Sequence, residues 1–299
     1  MTAPAPSFAQ TMERLRAEVD AALDARMPAE TEPPAVLHRA MRYSVFAGGK
    51  RVRPILCLLS AEAAGGDRRA ALAPAMALEL LHTYTLIHDD LPSMDNDGLR
   101  RGRPTAHRVF GEANAILSGD ALLTLAFELL AEAPAPPPYP PGALPLELAR
   151  AAGSRGVAGG QYEDLAAEAQ PDVTPERLER IHRWKTASLI AAACRMGAIA
   201  AAGAPETVAA LGAYGESVGL AFQIADDVLN AVSTPEQLGK AVGSDAERGK
   251  ATYVALFGIE ASRARARALV AEAIARLDGL PGPAEPLREL ACFVVERER

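Results

Sequence analysis

Leu78-Glu79-Leu80-Leu81-His82-Thr83-Tyr84-Thr85-Leu86-Ile87-His88-Asp89-Asp90-Leu91-Pro92-Ser93-Met94-Asp95-Asn96-Asp97 is the stretch from which the rest of the chain is read. Apolar residues recur at helical spacing, so Ala71 to Asp90 predicts a helix that stops at paired carboxylates. Pro92 disfavours a regular helix beyond them. Asp89 and Asp95 would not share a face of an ideal helix, so the chain is expected to bulge and bring both carboxylates to one metal pair. Carboxylates this close repel unless a cation sits between them. Hard oxygen donors suit Mg²⁺, held by one or two carboxylates and a substrate's phosphates. A second cluster, Asp226-Asp227-Val228-Leu229-Asn230, ends another helical run 137 positions later. There Asp226 and Asn230 stand four apart, on one helical face. The clusters read as two acidic walls that grip a diphosphate through Mg²⁺.

The remainder of the chain is helical in pattern. Of 299 residues, 49% are hydrophobic and only 5% aromatic, a mix rich in Ala and Leu that favours helix over strand. Helices are expected over Phe8–Met27, Ala35–Phe46, Ile55–Ala64, Ala71–Asp90, Ala113–Ala131, Leu146–Ala152, Glu176–Ala202, Glu206–Val232, Ala261–Leu277 and Leu287–Glu296, and strand signals are nearly absent. The Pro-rich segment 134–142 could be a linker, but each half then holds one acidic cluster and no sensible site. It reads as a surface loop within a single all-α domain, 1–299. A net charge of −7 and a pI near 5.4 leave no nucleic-acid footprint, so an anionic ligand needs a local basic cluster. Cys57, Cys194 and Cys292 lack paired spacing and read as buried free thiols in a reducing compartment. The first residues show no signal-peptide pattern. The apolar run Leu189–Ala204, broken by Arg195, is too short to span a membrane. A cytoplasmic protein with no membrane insertion is the expectation.

The basic residues are unevenly spelled. Of 31 cations only four are lysines: Lys50, Lys185, Lys240 and Lys250. In so arginine-rich a chain, retained lysines mark places that want a compact ammonium, a point-charge phosphate binder. Gly48-Gly49-Lys50-Arg51-Val52-Arg53 stands between two helices, with Lys50 and Arg53 about one turn apart. Arg100-Arg101 follows the first acidic cluster and sets a bidentate phosphate clamp beside the metal site.

Taken together these residues resemble the trans-isoprenyl diphosphate synthase (polyprenyl synthetase) family, within it most of all the bacterial farnesyl diphosphate synthase type. Gly49-Lys50-x-x-Arg53 resembles the isopentenyl diphosphate motif, His82 falls on that substrate's third contact, and Asp89-Asp90-x-x-x-x-Asp95 resembles the long form of the first Asp-rich motif. Arg100 and Arg101 match the arginines for the allylic and isopentenyl diphosphates. Gly159-Gly160-Gln161 with Asp164, Lys185-Thr186, Phe222-Gln223, Asp226-Asp227, Lys240 and Lys250 match the remaining positions. One departure stands out: the second motif should end in Asp, and here it ends in Asn230. An amide oxygen can still ligate Mg²⁺ but brings no charge.

The resemblance implies the isoprenoid synthase fold, a helical bundle around a central cavity, and a homodimer. It implies about three Mg²⁺ ions on Asp89, Asp90, Asp95, Asp226, Asp227 and Asn230. It further implies ionisation of an allylic diphosphate, attack by the double bond of isopentenyl diphosphate, and elimination, with the departing diphosphate accepting the proton. Arg100, Lys185, Lys240 and Lys250 are then expected on the allylic diphosphate, and Lys50, Arg53, His82 and Arg101 on isopentenyl diphosphate. Thr186 and Gln223 could present oxygens to the cation. His88 is expected to pack or support a carboxylate, and His38, His107 and His182 to be structural. Tyr84, five residues before Asp89, and its neighbour Thr85 are the expected chain-length residues. An aromatic floor there predicts farnesyl diphosphate, with geranylgeranyl diphosphate as the alternative. A terpene cyclase would need a second motif whose last position here is Thr234, which does not fit. A non-catalytic subunit of a heteromeric synthase would be expected to have lost the acidic motifs.

Overall fold

The computed structural model describes residues 7–168, 170, 173–232 and 252–296. Lys240, Lys250 and Thr234 therefore lie outside the described residues. The architecture is all-α. In chain order come α1 (Phe8–Arg26), α2 (Ala35–Val45), α3 (Val52–Ala63), a 3-10 turn (Arg68–Ala71), α4 (Leu72–Asp89), α5 (Ala106–Phe110), α6 (Glu112–Glu132), α7 (Ala143–Ala152), α8 (Val157–Glu168) and α9 (Pro175–His182). A π turn (Arg183–Ala187), α10 (Ser188–Ala200), α11 (Pro205–Val232), α12 (Tyr253–Phe257), α13 (Ile259–Ala275) and α14 (Glu285–Glu296) complete it.

Local chemistry sets these boundaries. Ser7 and Gln10 form a reciprocal capping box at the start of α1. Thr174 caps α9, with Pro175 in its first turn. Along α1, Leu15, Val19 and Leu23 form the fully buried stripe that the spacing predicts. The centre of the bundle is α10: every residue from Leu189 to Ala200 except Arg195 is buried, between α3, α7 and α11. One continuous apolar cluster runs from Leu15 to Val294. In segment 134–142 the Tyr139 hydroxyl donates to the Gly203 carbonyl at 2.6 Å. Three stretches, Arg68–Asp89, Glu112–Glu132 and Pro205–Val232, are long and apolar enough to cross a membrane, and 61%, 44% and 61% of their most apolar windows are buried inside the protein.

Sequence pattern missed the short helices α5 and α12 and three further features. Val157–Glu168 is helical despite Gly159-Gly160, because tertiary packing outweighs the propensity cost of glycine. The stretch read as one helix over Glu176–Ala202 contains the π turn. A two-stranded hairpin pairs Leu99–Arg100 with Arg103–Pro104. Its central residues, Arg101 and Gly102, have φ of 54° and 74°, the sign pattern of a type I′ turn. That hairpin carries both arginines of the expected phosphate clamp.

Candidate active site

The first acidic cluster bulges as Pro92 foretells. Helix α4 ends at Asp89, and the Asp95 amide donates back to the Asp89 carbonyl at 2.8 Å. This closes the loop and returns Asp95 to the helix end. Asp90 points the other way. It is 4% exposed and accepts from Arg100 Nε at 2.9 Å, while Arg100 also reaches Asp97 at 3.3 Å. Burial, with Asp95 adding to it, pushes the Asp89 carboxyl up to about 6; Lys185 across the cleft pulls it down. A carboxylate crowded in this way is the donor that a dication relieves. Asp89 and Asp95 therefore fit Mg²⁺ as hard oxygen ligands. Among the described residues no group of three His, Cys, Asp or Glu side chains could hold a metal alone. Phosphate oxygens would have to complete the shell.

The second cluster splits the same way. Asp226 and Asn230 are partly exposed on one face of α11. Asp227 is 5% exposed and faces protein. It accepts from the Tyr253 amide at 2.8 Å and from Gln223 Nε2 at 3.2 Å, and lies 3.7 Å from His182 Nε2. The His182 ring stacks on Tyr253 at 5.6 Å, and burial pushes its pKa down to about 4. Gln223 Oε1 accepts from the Thr186 hydroxyl at 2.9 Å. Of the two oxygens expected to face a cation, that of Gln223 is thus engaged by Thr186.

Lys185 sits in the π turn and donates to Asp164 at 2.6 Å. The Gly-Gly-Gln segment explains the contact. A Cβ on Gly160 would lie 2.2 Å from the Lys185 backbone nitrogen, so only glycine lets α8 abut the π turn.

Cations gather about two turns up α4 from Asp89, around His82. A cavity of about 640 Å³ is lined by Lys50, Arg53, His82 and Arg101, with Ile190 and Phe222 at its apolar part. The Arg101 guanidinium donates to the Gly48 carbonyl and lies flat against Gly49, where a Cβ would come within 2.5 Å of it. This is why Gly49, at φ 126°, tolerates no side chain. Burial holds the Arg53 guanidinium down to about 10. Burial and the surrounding guanidinium groups hold His82 well below the ordinary imidazole range, so its ring is neutral. The four residues that the resemblance expects on one substrate are thus brought to one cavity. Sequence spacing passed over Arg51 and Glu79, which line the same cavity 2.6 Å apart. The only signal for them was an acidic residue on the buried face of an apolar helix.

Tyr84 packs edge-on against His88, ring centroids 4.8 Å apart. His88 Nε2 in turn meets the Ile116 carbonyl of α6 at 3.1 Å, close over Gly119. His88 is a packing residue, as expected. Tyr84 is five residues before Asp89, so it is rotated about 140° from it around the helix, whereas Thr85, four before, is only about 40° away. The Thr85 hydroxyl bonds back to the His82 carbonyl at 2.8 Å.

The family model for polyprenyl synthetases matches residues 34–279. Geranylgeranyl pyrophosphate synthase 9 of Arabidopsis thaliana is 45% identical over 295 residues, covering 97% of this chain and 81% of that protein. The apo crystal structure of an FPP/GFPP synthase from Zymomonas mobilis superposes with a TM-score of 0.86 at 40% identity, covering 96% of this chain and 98% of that one. A geranylgeranyl pyrophosphate synthetase from Pyrococcus horikoshii gives 0.87 at 36% identity, with 97% and 98% covered. These findings correct one expectation: the Arabidopsis thaliana protein and further relatives from that plant are named chloroplastic, which overturns the cytoplasmic assignment.

Proposed function

The chain belongs to the polyprenyl synthetase family and has the all-α isoprenoid synthase fold, and from that premise we propose that it is a geranylgeranyl diphosphate synthase acting as one domain. Prenyl transfer is the activity of the family. The observation that carries the site assignment is the convergence of Lys50, Arg53, His82 and Arg101, from three separate chain segments, on one cavity beside the acidic walls. Those four hold the diphosphate of isopentenyl diphosphate, with Ile190 and Phe222 against its hydrocarbon end. Arg100 and Lys185 hold the allylic diphosphate at the acidic end of α4. Lys240 and Lys250 are proposed to join them on the strength of the motif alone.

Asp89, Asp95, Asp226 and Asn230 are the proposed Mg²⁺ ligands, and the ions would neutralise charge on the leaving diphosphate. Asp90 and Asp227, expected as ligands, are read instead as supports, since both are buried, with Arg100 donating to Asp90 Oδ1 and protein donors on both oxygens of Asp227. Arg100 would stabilise the negative charge that grows on the leaving diphosphate. The neutral His82 ring offers one N–H to the second diphosphate without adding charge. No side-chain base is assigned; the departing diphosphate is the proposed proton acceptor.

The twenty-carbon product is supported by two lines. Curated relatives at this level of identity are named geranylgeranyl synthases. Beneath Asp89 the helix presents the small Thr85, while the Tyr84 ring is turned onto His88. The aromatic ruler that suggested farnesyl diphosphate is therefore engaged sideways. A farnesyl product keeps one supporting observation, the aromatic at this position. A homodimer is supported by the outer face around α6, where Val109, Ile116 and Leu117 are 47%, 42% and 54% exposed. The deciding experiment incubates the purified chain with Mg²⁺, isopentenyl diphosphate and dimethylallyl, geranyl or farnesyl diphosphate, and weighs the products. A twenty-carbon diphosphate is expected. Arrest at fifteen carbons restores the farnesyl reading, and a folded chain that makes no product is a non-catalytic subunit.

A further inference from the structure

Helix α1 precedes the residues matched by the family model, yet it reaches the cation-lined cavity. Arg16 lines the cavity mouth, and Asp20, one turn on, accepts from Arg51 Nε at 2.8 Å. Arg51 is 4% exposed and stands in left-handed backbone, φ 51°, a conformation uncommon for a non-glycine residue. Three elements hold it there. Asp20 comes from α1, Glu79 of α4 lies 2.6 Å away, and the Val45 carbonyl at the end of α2 accepts at 2.6 Å. A guanidinium fork fills all three positions at once; an ammonium has neither the span nor the planarity. Glu79 also stabilises the charges of Arg53 and Arg101, and it lies three residues before His82 on the same face of α4.

We propose that Arg51 is a positioning residue for the isopentenyl diphosphate site. Clamped by Asp20 and Glu79, it locks the turn from Gly48 to Arg53 so that Lys50 and Arg53 meet His82 and Arg101 around one diphosphate. This rests on reading the cavity as the isopentenyl diphosphate site. A staple serving the fold alone would change the amount of active protein, and hence kcat, but neither substrate's KM.

Steady-state kinetics on the full-length chain separate the two roles. Arg51→Lys is expected to raise KM for isopentenyl diphosphate about tenfold, with kcat within about threefold and the allylic KM within about twofold. Arg51→Met/Glu79→Met removes both buried charges together, so neither is left unpaired. It should melt near the parent temperature and still show the raised KM. Asp20→Asn alters a partner that is 36% exposed, so it keeps the fold and should raise the same KM about threefold. Folded variants with the parent KM for isopentenyl diphosphate, or with a loss confined to kcat, overturn the proposal. Lys50→Ala runs in parallel: if it too leaves that KM unchanged, the pocket reading itself has failed. If Lys50→Ala raises KM while the Arg51 and Asp20 variants do not, only the positioning role has failed.

Discussion

Asp90 and Asp227 occupy equivalent places, each the second carboxylate of its pair and each buried, but they are held by opposite kinds of partner. Asp90 is neutralised by the Arg100 guanidinium, itself part of the proposed diphosphate clamp. Asp227 is held by a backbone amide and a carboxamide, beside an uncharged His182. The first wall is therefore wired to the chemistry, because a charge that Arg100 gives to a diphosphate is withdrawn from Asp90. The second wall is wired to the fold, because Asp227 ties the end of α11 to the start of α12. On the proposed reading a doubled aspartate supplies one carboxylate for metal and one for support, and the support differs from wall to wall.

The sharpest way to break this contrast is Asp89→Ala. We expect kcat to fall about 10³-fold, roughly 4 kcal/mol of lost electrostatic stabilisation. The melting temperature of the metal-free protein should hold or rise, since a crowded carboxylate is gone. A variant that kept its rate would remove Asp89 from the metal platform.

The next effect reads the second wall through pH. His182 has a folded pKa of about 4, below the ordinary value of 6.5, because burial outweighs the pull of Asp164 and Glu179. A base whose folded pKa is depressed binds its proton better when unfolded. Stability is thus complete above pH 6.5 and declines as pH falls toward 4, by on the order of 3 kcal/mol. Denaturant titrations across that window should show the decline, and His182→Phe should flatten it. An unchanged slope in the variant assigns the acid sensitivity to other groups.

Asp227→Ala comes third. It leaves the buried Tyr253 N–H unpaired, a cost of about 1–3 kcal/mol. Thermal unfolding should record it, and the residual folded enzyme should lose far less rate than Asp89→Ala does. Loss of rate as deep as that of Asp89→Ala, with stability intact, would make Asp227 a metal ligand and erase the contrast. The smallest effect is expected at Asn230. Asn230→Asp adds a charged oxygen to the depleted wall, lowering the Mg²⁺ concentration for half-maximal rate about threefold. An unaltered Mg²⁺ dependence would show that this position does not touch the metal.

Much of this was legible in residue order because helices and charge motifs are local. The stripe of α1, the stop at Asp89, the bulge at Pro92 and the gathering of Lys50, Arg53, His82 and Arg101 all follow from spacing and from motifs. What stayed hidden depended on residues distant in the chain. The hairpin around Arg101-Gly102 has no alternating strand pattern to announce it. The helical Gly159-Gly160 segment defies propensity because α8 must approach the π turn within contact of a backbone. Arg51 and Glu79 stand 28 positions apart and meet only because α4 packs beside the turn after α2.

Residue order by itself thus determined the fold class, the family, the positions of both acidic walls and the identity of the cations that gather at one cavity. Those properties rest on helical periodicity and on residue chemistry, which need no knowledge of partners. Only the tertiary structure decided which aspartate of each pair faces the cleft, where the Tyr84 ring turns, and that Asp20 of α1 and Glu79 of α4 clamp Arg51. A side chain's partner is set by which helices pack together, and a buried charge takes the nearest group that can satisfy it, wherever in the chain that group lies.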